Sequence, residues 1–239
     1  MSVLDQILET KRDEVTVLHQ PSTRRAIRTA ALDAVATATA YETGGATCLS
    51  VLTDGPFFGG SVADLQGARN AAARTPVLRK DFTIDTDQVY ETRGIGADAV
   101  LLIVAALPDD ALLRDLHALA RELDLSVVVE AHDAAEVERA VDAGATIVGI
   151  NARDLGTFVE DLSVGERLIA RLPDPVLAVA ESAIRSVEDA RRMADAGFDA
   201  VLVGEALVRA SDPTALVGTM TAIEAKRRSK SPRSNPPGD

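Results

Sequence analysis

The sequence predicts an α/β protein, a (β/α)8 barrel preceded by an extra N-terminal helix and incomplete at its first strand. Three observations lead there. From residue 47 onward, short apolar runs of strand length alternate with helical stretches, the pattern of a parallel sheet. Several helical stretches end in a glycine just before the next apolar run, as at Gly96-Ala97-Asp98, Gly144-Ala145 and Gly197-Phe198. Aromatic residues are only 3% of the chain, so Val, Leu, Ile and Ala must fill the interior, as they do in the layered core of a barrel.

The leading helix is read from residues 3–18, where Val3, Leu4, Ile7, Leu8, Val15 and Leu18 keep helical spacing and Ser2 supplies a cap. His19-Gln20-Pro21-Ser22 breaks it. Residues 24–42 read as a second helix, closed by Gly44-Gly45. Strands follow at 47–53, 76–80, 98–104, 126–130, 146–151, 175–181 and 199–204. Helices are expected between and after them at roughly 61–73, 86–94, 109–123, 133–143, 163–171, 186–196 and 212–228. That gives seven clear strands where a closed barrel has eight. One domain over residues 1–225 is expected, with a disordered, basic, Ser- and Pro-rich tail at 226–239.

Composition excludes several classes. A net charge of −12 argues against nucleic acid, whose phosphates need a basic surface. The single cysteine, Cys48, rules out an intrachain disulfide and fits a reducing compartment; its apolar neighbours suggest a buried, inert thiol. No apolar run reaches membrane-spanning length and no signal peptide opens the chain, so a cytoplasmic protein is expected. His19 and His117 fall in helical stretches and His132 follows a strand, without metal-ligand spacing, so neither a metal nor a catalytic histidine is expected.

Chemistry concentrates at strand ends. The run Val77-Leu78-Arg79-Lys80-Asp81-Phe82 begins after Pro76 and delivers an ammonium at its C-terminal end. Other strands end in Glu130, in Asn151 and in Glu181-Ser182. In a parallel barrel all of these ends open on one face. A lysine among carboxylates can protonate a carbonyl oxygen or help expel a hydroxyl, a desolvated glutamate can accept a proton, and an asparagine can orient a hydroxyl. Gly204-Glu205-Ala206, after the last strand, offers backbone N–H groups for an anion.

These residues lie in longer motifs. LSVLTDGPFFGGS (49–61), VLRKDFTIDTDQVYETRGIGADAVLLIVAAL (77–107), VVVEAH (127–132), GINARDL (149–155), AESAI (180–184) and LVGEAL (202–207) closely resemble indole-3-glycerol phosphate synthase, and LDQILETKRDEV resembles that family's leading helix. The resemblance implies a barrel enzyme of tryptophan biosynthesis, acting without a cofactor on 1-(2-carboxyphenylamino)-1-deoxyribulose 5-phosphate. It implies Lys80 as general acid, Glu130 as proton acceptor, and Asn151 and Glu181 as polar residues holding the ring-closure geometry. It also implies Phe58 and Phe82 as walls for the anthranilate ring, Arg153 and Leu155 as pocket lining, and Ser182, Gly204 and Glu205 as the phosphate site. The expected partner is a small sugar phosphate, with no nucleic acid or membrane, and the expected state a monomer or weak oligomer.

The sequence departs from that family in one region. The family's first strand carries Glu-x-Lys and then Ser-Pro-Ser, whereas here residues 19–39 bridge the leading helix to the next landmark with no such strand. Glu14-Val15 and Pro21-Ser22 could be placed on that motif, but the apolar spacing around Val15 keeps it in the leading helix. Ala183 also stands where the family has a glycine. The alternative to an active synthase is therefore a catalytically weak or inactive relative that binds a phosphorylated ligand or a partner.

Overall fold

The computed structural model describes residues 6–9, 11, 33–154 and 159–226. Seven parallel strands form one sheet in sequence order: β1 (Leu49–Leu52), β2 (Val77–Lys80), β3 (Ala99–Ile103), β4 (Ser126–Ala131), β5 (Ile147–Asn151), β6 (Leu177–Glu181) and β7 (Ala200–Leu202). The sheet curls into a partial barrel. Helices alternate with the strands: α1 (Ala34–Thr43), α2 (Val62–Ala71), α3 (Thr86–Gly94), α4 (Asp110–Glu122), α5 (Ala134–Asp142), α6 (Ser163–Leu168), α7 (Val187–Ala196), α8 (Glu205–Arg209) and α9 (Pro213–Thr221).

The helices start where the sequence provides caps. Asp33, Ser61, Asp85, Asp109, Asp133, Ser186 and Asp212 each accept from a backbone N–H of the first turn, satisfying donors that have no partner within the helix. At the opposite end of the barrel, a recurring turn joins helix to strand. Gly96 and Gly197 take positive φ, and two residues later Asp98 and Asp199 accept from Val77 N and Ala178 N of the preceding strands, each at 2.8 Å.

Side-chain alternation splits the core into two layers. Val100 and Leu102 of β3, Val127 and Val129 of β4, and Ala178 and Ala180 of β6 face outward into the large cluster under the helices. Leu78, Ala99, Leu101, Ile103 and Val128 form a second, inner cluster. Ile7 and Leu8 of the leading segment, which is helical at residues 6–9, are buried in that inner cluster beside Phe82. The leading helix thus packs into the barrel mouth, on the side where the strands end.

No pairing joins β7 to β1 among the described residues, and residues 12–32 lie outside them. Among the described residues, helices join the two ends of the sheet. α9 packs on α1, and Thr214 Oγ1 donates to Ala40 O at 3.2 Å across 174 residues of chain. Gly44 makes this approach possible: a Cβ there would lie 2.7 Å from Thr214 O and 2.8 Å from Val217 Cβ.

The expected elements are found with shortened ends. The last helix stops at Thr221 rather than 228, because Lys226 N turns back to Ala194 O at 3.1 Å and its ammonium pairs with Asp195 at 2.8 Å, docking the chain on α7. Cys48 is exposed at the start of β1 rather than buried, since it precedes the alternating part of the strand. Helix 24–42 is described only from Ala34, and most of the bridge at 19–39 and the tail beyond Lys226 lie outside the described residues.

The seam contact makes a paired prediction. Gly44→Ala is expected to lose about 1–3 kcal/mol of stability in urea unfolding, because the new methyl group meets backbone. Gly218→Ala, on the α9 side of the same contact, would place its Cβ 3.6 Å from Gly44 O, an ordinary contact, and is expected to be neutral or stabilising.

Candidate functional site

Alternation selects which residues of each strand end face the barrel interior. On β2, Val77 and Arg79 point to the helices while Leu78 and Lys80 point inward. Arg79 is buried on the outer side, where it donates to Gln88 O and Thr92 Oγ1 of α3 and pairs with Glu91 at 2.8 Å. On β4 the inward residues are Val128 and Glu130, and Asn151 and Glu181 end β5 and β6 in adjacent register.

These four polar ends form one connected group. Lys80 Nζ lies 3.1 Å from Glu130 Oε2 and 3.1 Å from Glu181 Oε2. Asn151 Nδ2 donates to Glu130 Oε1 at 2.8 Å, and Asn151 Oδ1 accepts from Arg153 N at 3.0 Å. The glutamate side chains are 2% and 1% exposed while Lys80 is 25% exposed, so the ammonium sits on the solvent side of two buried carboxylates. Glu181 Oε1 is buried with no hydrogen-bond partner. Its place exists because residue 149 is glycine: a Cβ there would lie 2.0 Å from that oxygen.

Charges follow from this arrangement. Burial raises the Glu181 carboxyl to about 7; Lys80 offsets part of this and the neighbouring Glu130 adds to it. Burial opposes ionisation of Glu130 as well, but Lys80, His132 and Asn151 outweigh it and hold that carboxyl well below the usual range. Burial would lower the Lys80 ammonium, yet the two glutamates outweigh it and raise it. At neutral pH the group therefore contains a fixed ammonium, a fixed carboxylate and a second carboxyl near its midpoint.

The other expected residues divide. Phe58 and Phe82 stack with ring centroids 6.1 Å apart and planes at 28°, and together with Leu52, Leu101 and Ile103 they give the cavity above Lys80 its apolar wall. Arg153 and Ser182 line the same cavity. Arg153 is clamped by Glu160 across a short antiparallel bridge, and Glu160 also pairs with Arg185 at 2.8 Å. Gly204 and Glu205 lie at the start of α8, beside Ser182 on the neighbouring strand end but outside the cavity lining; Glu205 is exposed and pairs with Arg209. Ser182 and Ala183 both take left-handed φ, 63° and 59°, conformations that cost a non-glycine residue energy. Leu155 lies outside the described residues.

Sequence reading missed four contributors. Lys11 of the leading helix is buried and reaches Asp54 Oδ1 at 2.8 Å and Asp81 Oδ1 at 2.9 Å. Asp54 in turn accepts from Phe57 N and Phe58 N, and Asp81 accepts from Thr53 Oγ1, so one lysine ties three pieces of the cavity wall together. Burial opposes the Asp81 charge, but Lys11 and Arg79 prevail and lower its pKa. The fourth is His132, which touches the site although no histidine was expected to join its chemistry. Its Nε2 lies 3.2 Å from Glu130 Oε1 and its Nδ1 2.9 Å from Glu136 Oε2. His132 follows the end of β4 and precedes α5, and nothing in the linear pattern brings its ring between Glu130 and Glu136.

A sequence model of the family described as indole-3-glycerol phosphate synthase matches residues 4–220. The chain belongs to the indole-3-glycerol phosphate synthase family. A protein of that name from Streptomyces griseus is 45% identical over 224 residues, spanning 92% of this chain and 82% of the relative. Another from a Nocardioides species is 52% identical over 189 residues, spanning 79% and 72%. Among solved structures, a thiamine phosphate pyrophosphorylase from Pyrococcus furiosus superposes with a TM-score of 0.62 at 18% identity, covering 79% of this chain and 88% of that one. A 3-hexulose-6-phosphate synthase gives 0.59 at 20%, covering 79% and 95%; these two likenesses speak to the barrel fold alone. Family membership makes the chain a lyase-type enzyme relative, its members joining ring closure to loss of carbon dioxide.

Two expectations come from this geometry. Gly149→Ala is expected to displace the Glu181 carboxylate, costing about 1–3 kcal/mol of stability and at least tenfold in turnover; unfolding curves and rate measurements on the same preparation check both. The His132 ring is raised to about 9, because its contacts with Glu130 and Glu136 outweigh the effect of burial. A folded-state pKa above the unfolded one stabilises fully below about pH 6.5 and loses that contribution as pH rises through about 9. The stability read from urea unfolding is therefore expected to fall over that window by an amount on the order of 3 kcal/mol, and His132→Asn to flatten the fall.

Proposed function

We propose that the chain catalyses the reaction of its family, converting 1-(2-carboxyphenylamino)-1-deoxyribulose 5-phosphate to indole-3-glycerol phosphate with loss of one carbon dioxide and one water. The observation that carries this reading is the Lys80 ammonium, held at the mouth of the barrel by two buried carboxylates beneath a stacked aromatic wall. Lys80 protonates the ribulose carbonyl oxygen as the anthranilate ring carbon attacks the carbonyl carbon, and it regains a proton from solvent before its second step. The new carbon–carbon bond closes the five-membered ring, and the ring carboxylate then leaves as carbon dioxide, its bonding electrons returning to the ring. Lys80 next assists departure of the hydroxyl formed from that carbonyl, and Glu130 accepts the proton lost in the dehydration. Asn151 and Glu181 hold these two groups in place, Phe58 and Phe82 form the wall beside the aromatic ring, and Arg153 with Leu155 covers it. Ser182, Gly204 and Glu205 receive the phosphate through backbone N–H groups. The reaction needs no cofactor, since the leaving carboxylate supplies its own electron pair.

The enclosed free space above Lys80 is about 90 Å³, well below the several hundred typical of a site for a molecule of this size. Ile7 lines that space, so substrate entry requires the leading helix to give way at Ile7. A second reading, a weak or inactive relative that keeps phosphate-ligand binding, is favoured by one feature. The sequence has no apolar strand ending in Glu-x-Lys before residue 40.

Turnover separates the two. Purified protein given the carboxyphenylamino-deoxyribulose phosphate is expected to develop indole fluorescence, and Lys80→Ala to lose about 10²–10⁴-fold in rate. Because Lys80→Ala leaves two carboxylates facing each other, Lys80→Arg, which keeps the charge, is assayed beside it. Binding of the substrate with no fluorescence above the Lys80→Ala level would replace the first reading with the second.

A further inference from the structure

His132 is the one group around Glu130 that the reaction as described leaves idle. Its surroundings are specific. Glu136 takes both the backbone N–H of His132, at 2.7 Å, and the ring Nδ1, at 2.9 Å, on the same carboxylate oxygen. That double hold fixes the ring plane and sets Nε2 3.2 Å from Glu130 Oε1, as an ion-pair contact rather than an aligned hydrogen bond. A neutral imidazole has one N–H and one lone pair, so one of its nitrogens would turn a lone pair on a carboxylate oxygen. Both nitrogens face carboxylates only when the ring is an imidazolium.

The consequence lies in the asymmetry of the two glutamates. Glu130 has Lys80, Asn151 and the His132 ring around its oxygens, whereas Glu181 has Lys80 on one oxygen and nothing on the other. Two buried carboxylates sharing one ammonium compete for a proton, and the one with fewer donors takes it. We propose that His132, as an imidazolium pinned by Glu136, is a positioning residue that keeps Glu130 the ionised member of the pair and directs the shared proton to Glu181. This deepens the reaction proposed above and rests on it only for its kinetic consequence. The charged groups facing the ring are Glu130 from β4 and Glu136 from α5; Lys80 of β2 and Glu181 of β6 stand one contact further away.

Two measurements test it, one independent of catalysis. In the substrate-free protein, the imidazole nitrogen shifts of His132 are followed against pH by NMR, with the side-chain carboxyl carbons of Glu130 and Glu181. His132 is expected to stay doubly protonated past pH 8, and Glu136→Gln to bring its midpoint down. Glu130 is expected to be ionised at pH 5 while Glu181 still titrates, and His132→Asn to raise the Glu130 midpoint by about one pH unit. A His132 that titrates near 6.5, or a Glu130 midpoint that does not move in His132→Asn, would overturn the proposal. In turnover, the acidic limb of kcat/KM is expected to move to higher pH in His132→Asn and in Glu136→Gln, with KM little changed; a merely structural histidine would lower the plateau without moving the limb. If His132→Asn fails to fold, Glu136→Gln carries both arms, since it frees the ring without touching Glu130. Wild-type protein that gives the expected titrations but no turnover would sink the reaction reading and leave this one standing.

Discussion

Two buried carboxylates and one ammonium, placed on three different strands, set the terms for the rest of this barrel. Glu130 and Glu181 are almost wholly removed from water, and neither can hold a charge there without a partner. Lys80 is that partner for both, so β2, β4 and β6 must keep a fixed relative register for the group to exist. The inward layer at this height is correspondingly constrained. Gly149 leaves room for Glu181, Asn151 fills the remaining valence of Glu130, and Leu101 and Ile103 provide the dry floor that makes the pairing strong.

A second polar cluster repeats the principle on the outer rim. Lys11 is buried, 1% exposed, and sits between Asp54 and Asp81. Through Asp54 it fixes the turn carrying Phe58, and through Asp81 it reaches Thr53 and Arg79 behind β2. The leading helix is therefore part of the pocket: Ile7 supplies apolar lining and Lys11, one turn on, supplies the charge that anchors it.

Much of this was legible in the sequence, for reasons that also explain the gaps. Strand positions were clear because both faces of the central strands are buried, which writes them as apolar runs, and because aspartate or serine caps mark the helix starts. Lys80, Glu130, Asn151 and Glu181 stood out because a polar residue at the end of such a run is anomalous. The missed residues were hidden by ordinary context. Lys11 lies in a charged stretch, Glu9 to Glu14, that reads as a solvated helix face, and only its burial reveals otherwise. His132 follows Glu130 by two positions, but no linear pattern states that Glu136 turns its ring back toward that carboxylate. The end of α9 was overextended because Ala222 and Ile223 continue a good helical pattern, and the docking of Lys226 on α7 is a tertiary event.

The helical closure of the seam has a kinetic side. Neighbouring strands pair across short stretches of chain, as Leu49 does with Val77, while the contact between Thr214 and Ala40 spans 174 residues. Loop-closure entropy makes the longer link harder to form by about 1.5 kcal/mol, so the sheet can zip together strand by strand before its ends meet. The α1–α9 clasp is therefore expected to form after the neighbouring strand pairs, at a place well away from the charged group at the barrel mouth.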